Sequence, residues 1–350
     1  KQIQRGKRTC GTMAYLNQQK AADSGLEQRM AQIEQQTQQW IQNHPNLKKT
    51  GVVVTIPVVV HVVYNIPAEN ISDAQIQSQI DVLNQDFRRF NADAFNTPCD
   101  FQDNAADSDI EFCLATQDPF ANPTNGITRT PTTVTSFNTN DGVKFDAQGG
   151  KDAWDASQYL NVWVCDLAFG LLGYATFPGE PPAIDGVVIN YKAFGTIGSL
   201  FPSFNKGRTA THEIGHWLSL FHIWGDDGGA CNGSDFVGDT PNQASSSGGC
   251  PVFPKTDACT TPPPGIMFMN YMDYTDDACM NIFTAGQKSR MLATLNGFRS
   301  SLKTSPACGG NTGSGIPSND VYWNATTLIV DAPPISADNT NATVDGFDQI

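Results

Sequence analysis

Thr211-His212-Glu213-Ile214-Gly215-His216-Trp217-Leu218-Ser219-Leu220-Phe221-His222 is the stretch from which the rest of the chain can be read. The chain holds five histidines, and three of them fall here. His212 and His216 are four residues apart, so on a helix they stand one turn above each other on one face. Two neutral imidazoles so placed reach a single Zn²⁺. Glu213 adjoins the first of them, where it can hold a water beside the metal rather than the metal itself. His222 comes six residues after His216, too far round to share that face, so the chain must turn and bring it back as a third ligand. Three protein ligands leave a fourth position for water, the mark of a catalytic zinc site rather than a structural one. A buried helix with merely hydrogen-bonded histidines does not account for such clustering in a histidine-poor chain.

At 350 residues the chain has room for one large domain with additions, or for two domains. Its formal net charge is −14, and it has no basic stripe to neutralise phosphates, so nucleic acid is not an expected partner. The longest apolar run, residues 52–63, is interrupted by Pro57 and His61 and is too short for a membrane span. Nine cysteines point to disulfides and a secreted, oxidising setting, and the odd count leaves at least one without an intramolecular partner. The first residue is lysine, so any signal peptide is expected to be gone already.

Residues 1–47 differ from the rest, being Gln-rich with six Lys/Arg against three Asp/Glu. Ser24 and Glu27 have capping-box spacing, and Leu26, Met30, Ile33 and Trp40 then follow helical spacing until Pro45. Upstream lies Arg8-Thr9-Cys10-Gly11-Thr12. A thiolate beside glycine can approach a metal closely and occupy the water's place; otherwise Cys10 is a stray thiol or pairs elsewhere. Leu47-Lys48-Lys49-Thr50 reads as an exposed linker. Residues 52–63 then read as a strand buried on both faces. Ser72 and Gln75 form a second capping box, followed by Ile76, Ile80, Leu83, Phe87 and Phe90 at helical spacing. Strands are expected at 110–115, 160–167 and 183–191, with a short edge strand at 173–177; the histidine-bearing helix starts near Lys206. The class is therefore α/β, a mostly parallel twisted sheet with two long helices. Residues 223–308 are rich in Gly, Pro, Asp and Cys, a loop-rich half with one helical pattern at 284–295. Residues 309–350 read as a linker, an arm or the start of a further domain, since the strand-like 321–330 is too short for its own core. The expected organisation is thus 1–47, then 48–308 divided after 222, then 309–350. In the second half, Asp235, Asp239, Thr240 and loop carbonyls supply hard oxygens of the kind Ca²⁺ prefers, although an Asx-rich turn would use the same residues.

The histidine stretch resembles the metzincin metallopeptidase signature HExxHxxGxxH, with Ser219 in place of its glycine. That glycine makes a left-handed turn, a conformation that costs serine about 1–2 kcal/mol, so either Ser219 adopts it or the turn is made differently. Arg8 to Thr12 and residues 50–302 resemble the pappalysin family of metzincins. The resemblance implies a metzincin-like catalytic domain, a twisted mixed sheet with two long helices and a loop-rich, disulfide-bonded C-terminal subdomain, with a helical propeptide in front. It makes Cys10 a cysteine switch on the zinc held by His212, His216 and His222. It identifies Asn270-Tyr271-Met272-Asp273-Tyr274 with the Met-turn, Met272 lying beneath the zinc and Tyr274 aiming its hydroxyl towards it. It implies calcium at the loop of Asp235, Asp239 and Thr240. Four cysteines allow three pairings, of which the resemblance selects Cys231–Cys259 and Cys250–Cys279; Cys99 and Cys113 are close enough in sequence to pair, but Cys165 and Cys308 are also unassigned. Asp277 falls where the family has the base of the pocket for the residue after the cleaved bond. A carboxylate there favours arginine over lysine; the alternatives are a solvated loop acid or a calcium ligand. The implied protein is a secreted, latent zinc endopeptidase acting on peptides before Arg or Lys, with Glu213 as general base, Tyr274 on the oxyanion, and its own propeptide as inhibitor. The competing reading is a non-enzymatic secreted binding module with a structural zinc. In that reading Glu213 has no task, and the fourth ligand is missing unless Cys10 supplies it permanently.

Overall fold

The central strand, β1 (Val54–Tyr64), explains why residues 52–63 are apolar throughout. In this computed structural model, which describes residues 8–45 and 52–309, β1 pairs in parallel on one side with β2 (Ile110–Leu114) and, further along, with β3 (Ile127–Pro131). On its other side it pairs with β4 (Leu160–Cys165), again in parallel. The sheet continues through β6 (Val187–Asn190), parallel to β4, and ends on β5 (Gly173–Ala175), the one antiparallel strand. The linker lysines Lys48 and Lys49, and the strand-like 321–330, lie outside the described residues.

The helices are α1 (Thr12–Ala22), α2 (Leu26–Asn43), α3 (Asp73–Phe87), the single turn α4 (Cys99–Gln102), α5 (Arg208–Trp217) and α6 (Ala285–Asn296). Side chains alternate across a strand, so both faces of β1 need partners. Ile56, Val58, Val60 and Val62 join α3 (Ile76, Ile80, Leu83, Phe87) and α5 (Ala210, Ile214, Trp217) in the main core. Val59 and Val63 face the other way, towards Tyr159 and Trp163 respectively. His61 lies on this second face, its ring nitrogens 2.8 Å from Thr128 Oγ1 and 3.0 Å from Asn161 Oδ1. Burial holds its pKa down at about 4, so it is a neutral, hydrogen-bonded core residue.

Several expectations need correction. Ser72 does cap α3, accepting the Gln75 N–H, but the helix stops at Phe87 and Phe90 stands 52% exposed. The Ser24–Glu27 capping box does not form: Gly25 is the N-cap of α2, and Asp23 accepts the Gly25 N–H instead. Helix α1 was not foreseen, because only Thr12, Tyr15 and Leu16 are buried and no stripe shows in its sequence. Strand β3 was missed for a related reason, its Ile-Thr-Arg-Thr-Pro being half-exposed. Disulfides join Cys231–Cys259 and Cys250–Cys279, and a third, Cys113–Cys308, ties β2 to the end of the loop-rich half. Cys99 therefore does not pair with Cys113, whose partner comes instead from 195 residues further on, and Cys10, Cys99 and Cys165 are free. The described residues up to Cys308 form one compact unit, with α1 packed on β5 and α2 on α6. None of the described helices is long and apolar enough to cross a membrane.

Candidate active site

Every residue of α5 is buried. Gly215 is needed on its underside, because a Cβ there would lie 2.5 Å from the Met272 sulfur. Met272 thus sits directly beneath the helix. Past Trp217 the chain reverses: Ser219 takes φ +73°, and Leu220 donates its N–H to Gly215 O at 2.9 Å. The serine therefore makes the left-handed turn itself, at a cost of about 1–2 kcal/mol. Arg290 of α6 braces the turn, donating from Nε and Nη2 to Ser219 O at 3.2 and 3.1 Å.

The reversal brings His222 to the two helix histidines. His216 Nε2 lies 3.2 Å from His212 Nε2 and 3.1 Å from His222 Nε2. The outer nitrogens all face acceptors: Tyr271 O at 2.7 Å from His212 Nδ1, Leu220 O at 2.8 Å from His216 Nδ1, and Asp226 Oδ2 at 2.9 Å from His222 Nδ1. Those acceptors place the protons on Nδ1, which leaves three Nε2 lone pairs converging on one point. Burial, and for each the nearby imidazoles, hold the pKa values of His212 and His216 well below the ordinary range, which favours the neutral ligating form. The Cys10 sulfur completes the group, with all four ligand atoms within 4.8 Å of one another. Three imidazole nitrogens and a sulfur suit Zn²⁺ well, so the residues fit the metal that the sequence suggested. From the sequence Asp226, like Asp227, is only a less assignable acid near the candidate calcium ligands; its spacing of four from His222 is the one signal of its place beside that ring.

Glu213 stands beside this group. Its Oε2 accepts from Thr12 Oγ1 at 2.7 Å and from the Cys10 thiol at 3.4 Å. Burial pushes its pKa up to about 7 against those hydrogen bonds. Gly173 makes room for it, since a Cβ on Gly173 would lie 2.8 Å from Glu213 Cγ. Segment 9–11 covers the sheet edge here: Leu172 donates to Thr9 O at 3.0 Å and Gly11 donates to Gly173 O at 2.8 Å, in parallel pairing. The Tyr274 ring packs 5.0 Å from that of His222, and its hydroxyl reaches Cys10 O at 3.5 Å. Burial pushes the Tyr274 pKa far up, so the phenol keeps its proton.

Asp277 is buried, which removes the solvated-acid alternative. Its Oδ2 accepts the backbone N–H of Lys206 (2.8 Å) and of Arg208 (3.3 Å), and its Oδ1 accepts from Arg8 Nη2 at 2.6 Å. The Arg8 guanidinium also donates to Thr209 Oγ1 at 3.0 Å and to Thr275 O at 3.4 Å, and lies over the Phe204 ring. Arg8 of the chain's own N-terminal segment is thus enclosed, with its guanidinium on Asp277. The sequence held both halves of this contact but nothing that joined them.

The suggested calcium ligands are only partly brought together. Thr240 donates its hydroxyl to Asp235 Oδ2 at 2.7 Å. Asp239 instead accepts from Thr284 Oγ1 (2.6 Å) and Gly286 N–H (2.9 Å), so it fixes the N-terminus of α6 rather than facing Asp235. Burial pushes the Asp235 pKa up to about 6.

The family profile described as Pregnancy-associated plasma protein-A matches residues 144–296. An extracellular metalloprotease of Pyricularia oryzae is 35% identical over 258 residues, covering 70% of this chain and 76% of that one. One from Arthroderma otae is 33% identical, covering 70% and 79%. Among solved structures, mature mirolysin of Tannerella forsythia in complex with a cleaved peptide is 59% identical, with a TM-score of 0.70 over 72% of this chain and 96% of that one. A promirolysin mutant from the same organism is 52% identical, with a TM-score of 0.78 over 85% and 97%.

Proposed function

The chain belongs to the pappalysin family of metallopeptidases, and from that premise we propose that it is the latent form of a secreted zinc endopeptidase cutting before arginine and, less well, before lysine. The observation that carries this reading is Arg8-Thr9-Cys10 lying across the site, with the thiol beside three convergent imidazoles and the guanidinium on Asp277. His212, His216 and His222 would hold the zinc, with Cys10 beside them as the further ligand that would keep water away until residues 1–47 leave the catalytic part, 48–308. The chemistry zinc supplies is Lewis acidity, which acidifies water and polarises a carbonyl. Glu213, once free of Thr12 and Cys10, accepts the proton of the attacking water and passes it to the leaving amine. The Tyr274 phenol, freed from Cys10 O, donates to the oxyanion. Asp277 sets the register by holding the side chain after the scissile bond, and the β5 edge offers the backbone groups that segment 9–11 now uses. Met272 keeps the floor of the site apolar.

The test is casein hydrolysis by the chain before and after trypsin nicking, with and without a zinc chelator. The nicked chain should be active and chelator-sensitive. Cys10→Ala should leak activity unnicked, at least tenfold above the parent. A nicked, zinc-loaded chain that hydrolyses nothing would favour the binding module instead.

Calcium is proposed to bind through Asp235, Asp239, Thr240 and neighbouring loop carbonyls. Binding to the folded state alone adds about 2.7 kcal/mol at a hundred times Kd, or roughly 5–10 °C in melting temperature for a domain of this size. Adding a calcium-selective chelator should reverse that gain. A melting temperature indifferent to the chelator would remove calcium from the account.

A further inference from the structure

At the far end of β5 from the Asp277 pocket lies a second charged contact between the N-terminal segment and the rest of the chain. Glu34 of α2 is clamped by Arg290: Nη1 donates to Oε1 at 2.9 Å and Nη2 to Oε2 at 2.7 Å. Burial works against the Glu34 carboxylate, but the Arg290 hydrogen bonds and charge outweigh it and hold its pKa low. The Arg290 side chain is 1% exposed and is flanked by the rings of Phe221 at 5.7 Å and Phe236 at 5.4 Å. Phe177, two residues beyond β5, stacks on Phe221 at 4.8 Å. A cavity of about 390 Å³ separates α2 from this aromatic wall.

Bracing Ser219 O uses Nε and part of Nη2; the rest of the guanidinium is turned to Glu34. When residues 8–45 depart, that face loses its anion. A guanidinium in an aromatic setting, with donors turned outward and no partner, is a costly arrangement that a carboxylate relieves. Asp235 senses the charge of Arg290, but its carboxylate accepts from Thr240 Oγ1 and Val237 N–H. Cleavage before an arginine held on Asp277 requires the scissile bond to lie near the histidines, at the place of Cys10, so the residues upstream of it would continue along β5 past Ala175 towards Phe177. Resting on the peptidase reading, we propose that Arg290 with Phe177, Phe221 and Phe236 forms an acid-selective subsite, vacated by Glu34, that takes an Asp or Glu side chain upstream of the scissile bond. The preferred substrate is then a peptide acidic before the cut and basic immediately after it.

The test uses the nicked, active chain and fluorogenic peptides with one fixed arginine, in which Glu or Gln is walked through successive upstream positions. One position should favour Glu over Gln by about tenfold in kcat/KM, chiefly through KM, with the preference shrinking as salt rises. Arg290→Gln should bring that ratio to within about twofold while cleavage still requires the arginine; Arg290→Lys should keep part of it. If the variants fail to fold, the walk on the parent chain decides alone. Cleavage before arginine with no upstream Glu/Gln discrimination beyond about twofold sinks this subsite only. No cleavage of any peptide sinks the peptidase reading and the subsite with it.

Discussion

Replacing Glu213 by alanine is expected to lower kcat of the nicked chain about a thousandfold while leaving its metal content unchanged. The two halves of that expectation come from different atoms. Metal retention depends on three Nε2 atoms whose rings are set by Tyr271 O, Leu220 O and Asp226, none of which involves Glu213. Proton transfer depends on the Glu213 carboxylate, which among the described residues has only Thr12 and Cys10, both in the departing segment, as hydrogen-bond partners. Removing the side chain leaves space under Gly173, where Glu213 Cγ now packs, so a modest loss of stability is also expected. Metal analysis and casein hydrolysis on the same preparation check both halves. A variant that stays active would overturn the general-base role; one that loses its metal would show that Glu213 belongs to the ligand shell.

Much of this site was legible in the sequence because helical periodicity is local. His212 and His216 share a face by spacing alone, and His222 then demands a turn; Ser219 supplies it at φ +73° despite its side chain. The same holds for β1, whose unbroken apolar run needs cover on both faces. What was not legible depends on tertiary partners. The bond from Arg8 to Asp277 spans 269 residues, and only the folded sheet edge brings its ends together. Asp226 looked like one loop acid among several until the chain reversal placed it on His222 Nδ1. Asp239 accepts from Thr284 Oγ1 and the Gly286 N–H at the start of a helix, a contact its loop sequence does not announce, because a carboxylate serves backbone N–H groups as readily as a cation. Helix α1 carries no stripe, since it buries little beyond Tyr15 and Leu16.

The second large effect concerns Asp277. Asp277→Asn should lower kcat/KM for peptides with arginine after the cut by about a hundredfold, with a far smaller change for peptides carrying an apolar residue there. A charge-assisted hydrogen bond contributes about 1.5–3 kcal/mol, and a buried guanidinium left facing a neutral group loses more. Asparagine is the better variant, because Oδ2 also accepts the N–H groups of Lys206 and Arg208 at the start of α5, and the amide oxygen can keep accepting them. Alanine strips those bonds too and should cost folding stability as well as specificity. The same substitution acts on latency, since Arg8 occupies the pocket in the uncut chain. Activation is therefore pulled in two directions. The N-terminal segment should be held less tightly, which would raise leak activity; but if the chain activates itself by cutting before Lys48 or Lys49, as a preference for a basic residue after the cut predicts for this dibasic linker, that step should become slower. Nicking with trypsin separates the two effects, because it bypasses self-cleavage and leaves specificity alone to be read. A peptide library on the nicked parent chain should show arginine, then lysine, after the cut, and Asp277→Asn should flatten that preference. If the parent chain instead prefers an apolar residue at that position, Asp277 is not the specificity determinant. The contact with Arg8 would then be a latch only, and self-activation at the two lysines would lose its basis.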